Sequence, residues 1–124
     1  MKLAATGFWF IVVGLAAALT HAAVFGVARA WWWPEVANAA GFAVAFFVSF
    51  AGHRRLSFAD HRVDVWTSLR RFALTAVLGF AVNEGVFVLL LRGLHWSAWL
   101  ALVGAMAVAA GQTFVLGRFW AFRR

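Results

Sequence analysis

Cysteine is absent from the chain, which excludes a disulfide framework, thiolate metal sites and a cysteine nucleophile, and leaves the redox compartment undetermined. Charge is scarce too: charged residues make up 12% of the sequence, and the acids are only Glu35, Asp60, Asp64 and Glu84. Soluble domains carry about a quarter charged residues and about half apolar ones. Here 65% of residues are hydrophobic, which argues against a water-soluble fold. Also missing are a glycine-rich phosphate loop, paired carboxylates beside a nucleophile, and a histidine cluster at metal spacing. The chain alone is therefore not expected to be an enzyme, and neither a cofactor nor a metal is expected. No linker or low-complexity tract divides its 124 residues, so one domain is expected. Eleven Lys/Arg against four acids give a formal charge of +7. On a soluble basic face that excess would suggest nucleic acid. The charges instead sit between long apolar runs, so nucleic acid is not an expected partner.

What the sequence does contain is four apolar segments, at 6–28 (interrupted by His21), 36–52, 72–91 (interrupted by Glu84) and 97–117. Each approaches the roughly 20 residues that a helix needs to cross about 30 Å of hydrocarbon. The second is the shortest, and Trp31, Trp32 and Trp33 would extend it outward. Met1 and Lys2 ahead of an apolar run with Ala22 and Ala23 resemble a signal peptide, but the run is long for a signal core. Between the second and third spans, Asp60 as an N-cap with Val63 and Trp66 on one stripe suggests a short interfacial helix.

Orientation follows from Lys/Arg placement, because positive loops stay cytoplasmic. Lys2, Arg54, Arg55, Arg62, Arg70, Arg71, Arg118, Arg123 and Arg124 fall on one side, and only Arg29 and Arg92 on the other. Both termini are therefore expected in the cytoplasm. Tryptophan agrees, since indoles favour the headgroup zone. Trp9, Trp66 and Trp120 lie at inner boundaries, and Trp31, Trp32, Trp33, Trp96 and Trp99 at outer ones.

Sliding the chain over itself exposes an internal repeat. Ser49 through Phe58 aligns with Thr113 through Phe122 at an offset of 64, pairing Phe50 with Phe114, Arg54 with Arg118 and Phe58 with Phe122. His21 and Glu84, in the first and third spans, fall 63 apart. The fold class expected is thus an all-α membrane protein, in which four transmembrane helices form two helical hairpins repeated in parallel. The halves would be about 1–62 and 63–124, related by an axis along the membrane normal.

A small polar residue, Phe, three further positions, Arg and an aromatic-x-Phe tail, at the inner ends of the second and fourth spans, resemble the GtrA-like family. These are small four-helix proteins linked to cell-surface polysaccharide synthesis. The second copy, Phe114 with Arg118-Phe119-Trp120-Ala121-Phe122, follows the family pattern almost throughout. In the first copy His53 stands where Asn is usual and Leu56 replaces the usual Trp; Ser49 and Thr113 occupy positions often held by Asn. The resemblance implies movement of a polyprenyl-phosphate-linked sugar across the cytoplasmic membrane, beside a partner glycosyltransferase. The alternative is a non-transporting subunit that anchors or regulates that enzyme. A proton-coupled exporter is a third class, but small multidrug resistance proteins carry their essential Glu in the first helix, where this chain has His21.

Candidate site residues form three groups. A carboxylate in hydrocarbon is disfavoured by about 2.5 to 3.5 kcal/mol on insertion scales, so Glu84 needs a partner or a hydrated cavity. His21 falls at about the same depth, roughly 10 Å from the outer end of its span; His21, Asn83 and Glu84 are therefore an expected intramembrane polar site, or else a helix-packing contact. Arg54 and Arg118, with Arg55 assisting, offer planar forks for phosphate oxygens, against simple snorkelling to lipid headgroups. Ser49, Phe50, Phe58, Thr113, Phe114, Trp120 and Phe122 are motif positions that pack against lipid chains or against one another. The small side of the fourth span, with Ala105, Ala107, Ala109, Ala110 and Gly111, permits close helix contact and leaves homo-oligomerisation open.

Overall fold

The computed structural model describes residues 3–57, 64–116 and 119. Its elements are α1 (Leu3–Ala28), α2 (Pro34–Gly52), α3 (Val65–Val88) and α4 (Ala98–Leu116), with π-helical turns His53–Ser57 and Leu89–Gly93 prolonging α2 and α3. The described residues contain no strand. With their π turns the four spans run to 25, 24, 29 and 19 residues, each long and apolar enough to cross a membrane. Helices α2 and α4 are both 19 residues long, and they begin 64 positions apart.

Two boundaries differ from the sequence expectation. Trp31, Trp32 and Trp33 do not extend α2; they form the exposed turn before it. Pro34 then opens the helix, where its missing N–H costs nothing and its fixed φ is already helical. Trp66 belongs to no separate interfacial helix but to the first turn of α3, which starts well before position 72. Its N-cap is Asp64, whose carboxylate accepts from the Thr67 backbone N–H at 3.1 Å; Asp60 and Val63 lie outside the described residues. At the far end of α3, His95 adopts a left-handed φ of 56°. Ser97 then caps α4, its Oγ accepting from the Leu100 N–H at 3.3 Å.

Helix α1 packs chiefly on α2, and α3 on α4. Gly41 explains the first contact: a Cβ there would lie 2.5 Å from His21 Cδ2 and 2.7 Å from the His21 carbonyl oxygen. Gly52 meets Val13 in the same way at 2.6 Å, and Gly104 in α4 meets Leu90 at 2.8 Å. Lacking lipid-to-water contrast, membrane helices associate through such small-residue contacts and hydrogen bonds.

The usual distribution of polarity is inverted. Phe8, Ile11, Leu15 and Leu19 on α1 and Leu100 and Val103 on α4 are exposed, whereas His21, Asn38, His53, Ser57, Ser68, Thr75 and Asn83 are buried. Lipid is the solvent that permits this arrangement. Two apolar clusters brace the bundle. One, near the Glu35 end, centres on Phe25, Phe87, Ala101 and Leu102; the other, near the Arg54 end, places Phe10, Phe46 and Phe50 around Phe72.

Candidate functional site

Four polar side chains from three helices meet inside the bundle. Asn38, fully buried in α2, is the hub. Its Nδ2 donates to Asn83 Oδ1 at 2.8 Å and to Glu84 Oε2 at 3.0 Å, both on α3. Its Oδ1 lies 2.8 Å from His21 Nε2 on α1. An amide oxygen can only accept, so His21 donates from Nε2, which fixes the tautomer when the ring is neutral. His21 and Glu84 thus meet through Asn38 rather than directly. Closer to the surface, Arg92 Nε donates to Glu35 Oε1 at 2.7 Å, tying the start of α2 to the end of α3.

Beneath this knot lies a cavity of about 130 Å³ between the helices. Its lining covers eleven residue steps on α1 (10 to 21), on α2 with its π turn (42 to 53) and on α3 (72 to 83). At 1.5 Å per residue that is about 16 Å along the bundle. Phenylalanine and alanine dominate the wall, but Ser49, Thr75, Thr113, His21, His53 and Asn83 also line it. Asn83 Nδ2 is buried with no hydrogen-bond partner.

The opposite end of the cavity is closed by His53, 2% exposed, whose ring stacks on Phe10 with centroids 4.7 Å apart. His53 Nδ1 lies 2.9 Å from Ser57 Oγ across the π turn. The next residue, Arg54, is half-buried and donates from Nη1 to Ser68 Oγ at 2.6 Å. Ser68 Oγ in turn lies 3.1 Å from the carbonyl oxygens of Asp64 and Val65, so Arg54 fastens the end of α2 to the first turn of α3. Arg55 is exposed. No group of three or more His, Asp or Glu among the described residues gathers as a metal site would need.

A family model described as GtrA/DPMS, transmembrane domain, matches residues 9–122. The chain belongs to the GtrA/DPMS transmembrane-domain family. No curated protein and no solved structure matches it. Together with the four membrane-length apolar helices, membership makes it a multi-pass membrane protein of a family that fits polysaccharide synthesis and is generally non-catalytic.

In this GtrA/DPMS protein the motif positions separate. Ser49 and Thr113 line the cavity. Phe50 packs on Phe72 and Phe46, while Phe114 meets Phe10 edge-on at 4.8 Å and remains 41% exposed. Arg118, Phe58, Trp120 and Phe122 lie outside the described residues. Two participants escaped the sequence reading. Asn38 is an uncharged amide inside an apolar run, so a scan for charged interruptions passes over it; comparing its depth with Glu84 would have found it. His53 was legible only as a departure from the family's usual Asn, although it forms the cavity's end wall.

Proposed function

We propose that this GtrA/DPMS protein moves a polyprenyl-phosphate-linked sugar from the cytoplasmic to the outer leaflet of the cytoplasmic membrane. A membrane glycosyltransferase makes or uses that lipid beside it. The observation that carries this reading is the cavity: about 16 Å of interior, roughly half the hydrocarbon thickness, with hydroxyl, imidazole and amide groups set into a mainly apolar wall. Burying polar groups in hydrocarbon is costly unless they are paired or serve a path for a polar solute. A polar head crossing the bilayer meets a lower barrier along such a wall than through acyl chains.

In this reading both termini are cytoplasmic. Arg54, Arg55 and Arg118 then receive the phosphate at the inner end, as permanently charged forks suited to phosphate oxygens. The knot of His21, Asn38, Asn83 and Glu84 closes the outer end and has to open for release. The chain forms and breaks no covalent bond of its own.

The test is leaflet transfer in vesicles holding the purified protein. Arg54→Lys and Arg118→Lys keep the charge and lose the fork, so transfer should fall while membrane insertion is unchanged. Full activity in both variants rejects bidentate recognition. Glu84→Gln keeps shape and removes charge. Normal folding with lost transfer supports a transport role, and near-normal transfer assigns Glu84 to packing. The second reading, a subunit that only anchors a glycosyltransferase, is favoured by the structural tie from Arg54 to Ser68. It requires that transfer be absent while glycosyltransferase output depends on the chain.

A further inference from the structure

We propose that the seam between α1 and α4 is the lateral opening of the cavity. It holds the hydrocarbon chain of a single-chain polyprenyl-type lipid, whose head oxygen accepts from Asn83. The choice of lipid class rests on the transport reading above; the location rests on independent geometry.

Helices α1 and α4 touch only sparsely, although each packs closely on its other neighbour. Aromatic pairs join them toward the two ends. Phe10 meets Phe114 at 4.8 Å, and Phe25 meets Trp99 at 5.2 Å. Near the second pair the Trp99 ring lies against Gly26, where a Cβ would be 3.3 Å from Cη2. Between these pairs the cavity is lined by Gly14, Ala17, Ala18 and His21 from α1 and by Met106, Ala109, Ala110 and Thr113 from α4. The spacing i, i+3, i+4, i+7 on both helices places these positions in one strip per helix.

Small residues in membrane helices ordinarily let two backbones approach. Here they do not: a Cβ at Gly14 would meet nothing within 4 Å. Ala110 is exposed and Ala17 partly so, which carries the opening out to the lipid-facing surface. The strip is one residue row wide on each side and is pinched by aromatic rings above and below, a shape that suits one hydrocarbon chain.

Asn83 identifies the other half of the occupant. It is 1% exposed, lines the cavity, and has no acceptor for its Nδ2 hydrogens, while its Oδ1 is taken by Asn38. Buried donors are nearly always paired. An apolar helix from a second copy would fill the seam and leave this donor stranded; an amphiphile fills the seam and brings an oxygen to the amide. Chain in the seam and oxygen at Asn83 together describe one ligand.

The experiment uses the full chain in detergent and native mass spectrometry, with polyprenyl phosphate lacking any sugar as the probe and two-chain phosphatidylglycerol as competitor. Wild type and Leu19→Phe, whose site is exposed on a different strip of α1, should retain the probe. Ala17→Phe and Ala110→Phe, which fill the seam, should lose it by about ten-fold or more through steric exclusion. Asn83→Leu should weaken it too. Retention by both seam variants, equal loss in Leu19→Phe, or equal competition by phosphatidylglycerol overturns the proposal. Wild type alone supplies a check that needs no variant to fold: a diazirine-bearing polyprenyl phosphate should label Gly14, Ala17 or Ala110. Labelling confined to the outward face at Phe8, Leu15 and Leu19 contradicts the proposal. Seam retention without leaflet transfer would leave this inference standing and reject flipping, whereas transfer that survives seam filling would do the reverse.

Discussion

Replacing Asn38 with Ala removes the hub of the intramembrane knot. Three hydrogen bonds disappear, to His21 at 2.8 Å, Asn83 at 2.8 Å and Glu84 at 3.0 Å. Side-chain hydrogen bonds between membrane helices contribute about 0.6 kcal/mol on average and about 1.7 at most. The three together therefore give a loss of about 2 to 5 kcal/mol, toward the upper part because His21 and Asn83 are left buried with unmet groups. His21→Ala removes only one of these bonds and should cost about 0.6 to 1.7 kcal/mol from that source. The assay is equilibrium unfolding of the purified protein in mixed micelles, followed by tryptophan fluorescence. An Asn38→Ala variant within about 0.5 kcal/mol of wild type, the range of surface substitutions, would refute the claim that this knot holds α1, α2 and α3 together.

Gly41→Ala should destabilise by about 1 to 3 kcal/mol in the same assay, because the added carbon lands against His21 and α1 and α2 must separate. Gly7→Ala, which meets nothing within 4 Å, should not destabilise. His95→Gly should stabilise by about 1 kcal/mol by relieving the left-handed φ of 56°. Arg92→Ala should leave stability close to that of wild type, since its bridge to Glu35 is solvent-exposed on the arginine side. Ser68→Ala should cost about 1.5 to 3 kcal/mol, because it removes a bond to a charged guanidinium at the junction of α2 and α3.

The helices were the legible part of the sequence because membrane spans announce themselves by uninterrupted apolarity. His21 and Glu84 were legible as a pair, since charge in hydrocarbon is costly and helix rise fixes depth. Asn38 was not, although it joins them: an amide breaks no hydropathy window. The start of α3 was placed too late because Arg70 and Arg71 interrupt hydropathy but not helix; Asp64 supplies its cap. Trp31, Trp32 and Trp33 are apolar enough to prolong a span, yet they form the turn that Pro34 ends. The cavity has no one-dimensional signature. It arises because Gly14 and Ala17 face Ala109 and Ala110 across a seam that the two helices do not close.

Leaflet transfer by the purified chain alone tests the central claim most directly. Vesicles holding this protein and no glycosyltransferase would be loaded with polyprenyl-phosphate hexoses from a panel of sugars, and the outer-leaflet fraction followed by an impermeant sugar-modifying reagent. Transport by the chain requires at least one of these lipids to cross faster than in protein-free vesicles, at a rate that rises with protein content and falls in Glu84→Gln. No acceleration for any sugar, from protein that still raises glycosyltransferase output in native membranes, would contradict it.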